Sequence, residues 1–355
     1  MIGRVVGKYK ILQKIGEGGM GSVYAAEHTI LGSPAAIKVL LPQWTSDAVV
    51  VDRFFHEARA ASAIRHAGIV DVFDYGRLDN EQAWIAMELL RGETLTQLFM
   101  RNGGPLDPAV VQQIGAQILG ALDAAHVVGV VHRDLKPDNV FLVRDPGLPG
   151  GIRVKLLDFG IAKLGADRFG NKRKTGGGTI LGTPTYMAPE QCKAGGEIDA
   201  RADLYALGCI LFELLVGGPP FNAPGGGEVM AMHIYEPPPR LSRFQPQLPA
   251  ELDALIARLL VKNPADRIPS AAYALAELER VSLLPLAAQI MLIGADGGRA
   301  PTYGPVTEYL PPPESHDAAR IPRWIPVAVL VVAIAIAIAA IILIGNSGNV
   351  PGAKT

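Results

Sequence analysis

Three glycines, a lysine and a glutamate near the start of the chain have the types and the spacing to handle a phosphate. Gly16, Gly18 and Gly21 read G-x-G-x-x-G in GEGGMG, with Val23 just after. Lacking Cβ atoms, such a loop lets backbone N–H groups close on a phosphate. The pattern alone is weak, because a dinucleotide-binding turn carries it too, with a helix opening directly after the third glycine. Here Ser22 to Glu27 alternates β-branched and aromatic residues, a loop with Gly32 and Pro34 follows, and AAIKVL resumes a strand. The glycines therefore sit in a hairpin, which disfavours the dinucleotide fold. In AAIKVL a period of two places Ala36, Lys38 and Leu40 on one face and Ala35, Ile37 and Val39 on the other. An ammonium between apolar neighbours is either an edge-strand charge that blocks aggregation or one half of a pair. Ser46 to Ile64 has a helical period, with Val50, Phe54, Glu57 and Ala61 on one stripe, and again a charge interrupts an apolar face. Burying either charge unpaired would be costly, so Lys38 and Glu57 are expected to face each other in a cleft.

Further along, GVVHRDLKPDNVFLV spans Gly129 to Val143, VKLLDFGIAKL spans Val154 to Leu164, and GTPTYMAPE ends at Glu190. His132-Arg133-Asp134 with Asn139, Asp158-Phe159-Gly160 and Ala188-Pro189-Glu190, ordered behind the glycine loop, Lys38 and Glu57, resemble the eukaryotic-type (Hanks-type) serine/threonine protein kinase family. The wording of KPDN and GEGGMG resembles its bacterial, membrane-anchored members. The resemblance covers roughly Tyr9 to Arg280. It implies an α+β, two-lobed protein kinase fold over 1–282, with a small β-rich N-lobe at about 9–90 and a larger, mainly α-helical C-lobe at about 91–282.

The same resemblance assigns roles that phosphoryl transfer needs: positioned phosphates, cations to absorb charge, and an oriented hydroxyl. Gly16, Gly18 and Gly21 would cover the ATP triphosphate, and Lys38, oriented by Glu57, would hold its α- and β-phosphates. Asn139 and Asp158 are hard oxygen ligands suited to Mg2+. Asp134 would accept or orient the substrate hydroxyl, and Lys136 would steady the γ-phosphate. Ile15, Val23 and Ala36 would roof the adenine and Phe141 floor it, with Glu88 and Leu90 offering backbone hydrogen bonds at a hinge and Met87 as gatekeeper. Asp203 would brace the catalytic loop, and Glu190 with Arg267 would form a buried ion pair. Two positions depart from the family pattern: Ala35 stands where Val is usual, and Tyr205 where D-x-W-x-x-G has Trp; neither is a catalytic position.

Lys-Pro after Asp134 and the segment GTPTYMAPE resemble Ser/Thr rather than tyrosine kinases, which implies an ATP- and Mg2+-dependent, non-specific serine/threonine protein kinase acting on protein substrates. The alternative is a nucleotide-binding pseudokinase scaffold at the membrane, but Lys38, Asp134 and Asp158, whose loss would mark one, are all present. Between Asp158 and Glu190 stand Thr175, Thr179 and Thr183. A phosphate there adds about -1.5 to -2 charges and would pair with Arg133. Activating autophosphorylation is expected at Thr175 or Thr179, with Thr183 contacting the catalytic site.

Composition bounds the rest. Lys+Arg number 33 against Asp+Glu 34, so no overall field attracts nucleic acid. Two cysteines, Cys192 and Cys209, make neither a disulfide framework nor a zinc site, as expected of an intracellular domain with Cys209 in its core. The apolar fraction of 49% is high, and much of it lies in one run. Ile325 to Ile344 holds 20 residues without a charge, long enough at 1.5 Å per residue to cross about 30 Å of hydrocarbon. With Trp324 at its edge, 324–344 is expected to be a single transmembrane helix, and 345–355 a short extracytoplasmic tail. Arg320 and Arg323 against Lys354 place the kinase domain in the cytoplasm, on the inner face of the cell membrane; MIGRVVGKYKIL has no apolar core of signal-peptide length. The stretch 283–323 is expected to be a Pro-rich juxtamembrane linker whose Leu283 to Ile293 run is too short to span. Alanines from Ala333 to Ala340 permit close helix packing and hence a homodimer.

Overall fold

The computed structural model describes residues 1–159, 184–193 and 197–283. Gly160, Thr175, Thr179, Thr183, nearly all of the linker, the expected span and the tail lie outside them. The chain divides into two units, Met1–Val306 and Thr307–Thr355, and only the first contains described residues.

The N-terminal lobe is an antiparallel sheet of β1 (Val5–Val6), β2 (Tyr9–Glu17), β3 (Gly21–His28), β4 (Pro34–Leu40), β5 (Val72–Arg77) and β6 (Ala83–Met87), in the order β1-β2-β3-β4-β6-β5. The alternation read in AAIKVL is realised on β4. Ala35, Ile37 and Val39 pack with Val6, Tyr9, Ile11, Ala26, Trp84 and Ala86 on one face of the sheet. On the other face Leu40 joins Ala83 and Ile85 against Val50, Val51, Phe54 and Ala58 of α1 (Ala48–Ala63). The helix starts two residues later than its apolar period suggests, because the Asp47 side chain accepts hydrogen bonds from Val49 N and Val50 N and caps it.

The C-terminal lobe opens with β7 (Gly92–Thr94), α2 (Leu95–Asn102) and α3 (Pro108–Val127). β8 (Val140–Arg144) and β9 (Ile152–Leu156) join β7 in a three-stranded sheet, followed by α4 (Pro189–Cys192), α5 (Arg201–Val216), α6 (Gly226–Tyr235), α7 (Ala250–Leu259) and α8 (Ala271–Arg280). α5 is apolar on most of its circumference, as a helix enclosed on every side must be, and it is buried from Ala202 to Phe212 without a break, Asp203 included. Gly208 on α5 has a packing reason. A Cβ there would lie 2.9 Å from Leu259 Cβ of α7, so only glycine lets the two helices approach this closely. Leu283, the last described residue, packs against this core. Among the described residues no helix is long and apolar enough to cross a membrane.

Candidate active site

Lys38 lies on a central strand, Glu57 on the helix packed across it, and Asp158 just past β9, and the fold brings the three together. Lys38 Nζ is 3.2 Å from Glu57 Oε1 and 2.6 Å from Asp158 Oδ1. The pairing expected from two interrupted apolar faces is present, and a carboxylate 120 positions from the lysine completes it. Burial works against the ammonium, but the Asp158 and Glu57 charges outweigh it and hold Lys38 above its usual range. Two carboxylates share one cation, and the cost falls on the more enclosed. Burial, reinforced by Asp158, pushes Glu57 up to about 8, against the pull of Lys38. Asp158 is held below the usual carboxylate range because Lys38 overcomes its burial. Its side chain is still 48% exposed, so an oxygen remains open to the cleft.

The segment from His132 to Asn139 owes its shape to Asp203, on α5. Its carboxylate accepts from His132 N and Arg133 N, both at 2.8 Å, and contacts His126 Nε2 at 2.8 Å. Arg133 has φ 64 and Asp158 φ 47, a region sparsely used by residues with side chains and found where geometry is imposed by surroundings. His132 Nε2 lies 2.9 Å from the Leu157 carbonyl, which fixes the proton on Nε2, and burial keeps the ring neutral by lowering its pKa. Asn139 Nδ2 donates to Asp134 O at 2.8 Å, and Lys136 Nζ lies 3.1 Å from Asp134 Oδ2. Leu157 N donates to Asn139 O at 2.9 Å, so Asn139 and Asp158 are set side by side.

The glycines divide by role. A Cβ on Gly21 would lie 2.8 Å from the Val39 carbonyl, a clash with backbone. At Gly16 and Gly18 the nearest atoms are 3.9 and 4.0 Å from an added Cβ. Gly21 is therefore required by the sheet itself, whereas the space above Gly16 and Gly18 is free for a ligand. Ile15 and Val23 are half-buried and Ala36 is buried, paired in register with Met87. Phe141 is buried on β8 beside Gly92. Glu88 N donates to Asp71 O at 2.9 Å, so its carbonyl, rather than its N–H, is the hinge group left for a ligand.

A sequence model of the protein kinase domain matches residues 9–277. The chain belongs to the protein kinase family. The serine/threonine-protein kinase Pkn1 of Myxococcus xanthus is 44% identical over 289 residues, covering 79% of this chain and 40% of Pkn1. The kinase PknH of Mycobacterium bovis is 37% identical over 337 residues, covering 92% of this chain and 54% of PknH. This chain thus spans about half the length of these curated relatives. The crystal structure of the Mycobacterium tuberculosis PknI kinase domain is similar at TM-score 0.61 and 33% identity, over 79% of this chain and 99% of that one. The expected two-lobed kinase fold, with a β-sheet N-lobe and a helical C-lobe, is what these matches and the element order share.

Around the kinase cleft stand three supports that motif reading missed. Trp44 Nε1 donates to Gly19 O at 3.2 Å and Leu41 N to Met20 O at 2.9 Å, tying the glycine-loop tip to the β4–α1 connection. Lys155 on β9, a buried cation, reaches both Glu88 Oε1 and Ile69 O and so bridges the C-lobe sheet to the hinge. Gln191 Nε2 donates to Arg133 O at 2.8 Å. The only sequence signal for Lys155 is a charge inside an apolar strand, the same signal that exposed Lys38. A cavity of about 450 Å3 between the end of α1 and β5, lined by His66, Arg65 and Asp71, includes none of the cleft residues.

Proposed function

We propose that this chain is an ATP-dependent serine/threonine protein kinase that transfers the γ-phosphate to Ser or Thr hydroxyls of proteins in bacterial signal transduction. The observation that carries the reading is the cluster in which Lys38 meets both Glu57 and Asp158, 3.2 and 2.6 Å away. Glu57 fixes the ammonium in the cleft, where it would bind the α- and β-phosphates, while Gly16 and Gly18 leave room for the triphosphate. The residues fit a divalent cation: Asp158 keeps a half-exposed, depressed-pKa carboxylate and Asn139 is set beside it. Mg2+ held there would neutralise charge on the phosphoryl oxygens.

Asp134 would orient a protein hydroxyl and take its proton as that oxygen bonds to the γ-phosphorus and ADP leaves. Lys136, 3.1 Å from Asp134, would steady the transferred group and supports the Ser/Thr over the tyrosine reading. Adenine would lie between Ile15, Val23 and Ala36 above and Phe141 below, with hydrogen bonds to the backbone of Glu88 and Leu90. Purified chain given Mg2+-ATP and a basic acceptor protein is expected to label Ser and Thr, and Lys38→Ala or Asp158→Ala to lose that labelling. Binding of nucleotide without any labelling by the wild type would favour the scaffold reading instead.

The reading extends to the cell membrane. Residues 324–344 form the single span, 283–323 the tether and 345–355 the outer tail, with the kinase domain 1–282 in the cytoplasm and the span available for dimerisation; the uncharged run Ile325 to Ile344 supports this. Deleting 324–355 should move the protein from the membrane pellet to the supernatant. Activation follows phosphorylation of Thr175 or Thr179, supported by their position between Asp158 and Glu190. Mass spectrometry after ATP incubation should find phosphate there, and an active enzyme without it would end this part of the reading.

A further inference from the structure

Behind the turn that faces Asp134 lies a buried polar chain that no motif announces. The turn, Pro184–Tyr186, is one short 3-10 turn closed by Met187 N donating to Pro184 O at 3.0 Å. Tyr186 and Met187 line a small cleft together with Asp134 and Lys136, so the turn forms one wall of the place where an acceptor segment meets the base. It is held at one point by Tyr186 Oη, which donates to Glu213 Oε2 of α5 at 2.6 Å. It is held at a second point by His233. His233 Nε2 lies 3.0 Å from the Thr185 carbonyl oxygen, and His233 Nδ1 lies 2.9 Å from Tyr205 Oη. Lys262 Nζ in turn donates to the Tyr205 oxygen and to Met232 O, each at 3.2 Å.

The direction of this chain is set from its far end. A carbonyl can only accept, so the proton is on Nε2 and His233 donates to Thr185. A neutral ring in that tautomer leaves Nδ1 bare, so Tyr205 must donate to it, and the tyrosine oxygen is then free to accept from Lys262. Burial, aided by the Lys262 charge, pulls His233 down to about 4, which keeps the ring neutral at ordinary pH. Neither ring can swing away. Tyr205 and His233 are both fully buried, and Phe221 packs edge-on to His233 with centroids 5.0 Å apart. Lys262 is itself 4.0 Å from the Phe221 ring centroid. The tyrosine that departs from the D-x-W-x-x-G pattern therefore supplies something an indole lacks, an oxygen that donates to one partner while accepting from another.

We propose that Tyr205 and His233 are positioning residues for the protein acceptor: through the Nε2–H bond to Thr185 they set the Pro184–Tyr186 turn against Asp134. The proposal rests on the protein kinase reading and deepens it, since it concerns the acceptor and leaves the nucleotide side alone. It is tested on the full chain with Mg2+-ATP and myelin basic protein as acceptor. Tyr205→Phe keeps the ring and removes the donor, and His233→Leu removes the bond to Thr185. Each should raise the KM for the acceptor by about three- to ten-fold, the effect of one lost hydrogen bond, with the KM for ATP unchanged. His233→Gln, which retains a nitrogen donor toward Thr185, should return the acceptor KM toward the wild-type value. An unchanged acceptor KM in the folded variants, a parallel rise in the ATP KM, or His233→Gln behaving as His233→Leu would each overturn the assignment. If Tyr205→Phe fails to fold, the two His233 variants decide alone. Hydrogen exchange of the Met187 amide in nucleotide-free protein gives a readout independent of catalysis. Faster exchange in His233→Leu supports the tether and unchanged exchange refutes it. A wild type inert toward ATP and acceptor would defeat the kinase reading, and the exchange result would still decide the tether.

Discussion

Arg267 illustrates what one fully buried charge requires. A guanidinium has five N–H donors, and this one has five oxygen contacts: Glu190 Oε1 and Oε2 at 2.8 and 3.1 Å, and the carbonyls of Val261, Arg201 and Lys262 at 3.0, 2.5 and 3.3 Å. Its side chain is 0% exposed and that of Glu190 8%. Removing one partner of such a pair strands the other charge in a dry site, which costs about 3–5 kcal/mol. Glu190→Ala is expected to lower the urea-unfolding free energy by that amount, while Asp52→Ala, which breaks the exposed pair with Arg59, should change it by less than about 1 kcal/mol. Equal effects from the two would show that burial does not set the scale here. The same logic makes Asp203 a bracing residue: one carboxylate answers three donors and so fixes the backbone of Arg133 in its left-handed conformation.

At the scale of elements, the cleft is assembled from pieces that meet only through a few cross-links. The glycine hairpin is anchored at its base by the β3–β4 ladder, where Gly21 lies against Val39, and at its tip by Trp44. Trp44→Phe keeps an aromatic ring against the cluster of Leu40, Val50 and Phe54 and removes the indole donor. It should raise the KM for ATP about three- to ten-fold, as one hydrogen bond is worth, and leave the acceptor KM unchanged. That is the reverse of the split expected for Tyr205→Phe, and a steady-state matrix varying both substrates separates them. Lys155 plays the corresponding part at the hinge, where β9, the α1–β5 connection and the strand end at Glu88 all converge on one ammonium.

Among the described residues the largest apolar core lies in the C-lobe, threaded by α5, while two smaller clusters cover the N-lobe sheet. Buried histidines in that C-lobe core make stability depend on acid. His233 is fully buried and its pKa is lowered to about 4, against 6.5 in the unfolded chain. Between those values the unfolded state binds a proton that the folded state refuses. Its contribution is therefore complete above about pH 6.5 and disappears as pH falls toward about 4, a loss of about 3 kcal/mol from this group. Denaturant unfolding of wild type between pH 7 and 4.5, compared with His233→Gln, should show the steeper acid loss in the wild type. Parallel curves would mean that the ring, with Tyr205 and Lys262 around it, titrates normally.

Much of the site was legible in the residues alone. Glycine spacing, a lysine inside a strand and a glutamate inside a helix stripe each break a local pattern, and breaking a pattern is visible without a fold because periodicity is a property of neighbours along the chain. The order of His132-Arg133-Asp134, Asn139 and Asp158 then pointed to one chemistry. What sequence left open was everything that depends on partners far apart in the chain. That Lys38 answers to two carboxylates instead of one, that the Glu88 N–H is spent on Asp71, and that Gly21 serves the sheet while Gly16 and Gly18 face the cleft are all settled by packing. Tyr205 read only as a substitution for another apolar ring, because a hydroxyl has no directional meaning until packing brings His233 of α6 and Lys262, just past α7, within 3.2 Å of it.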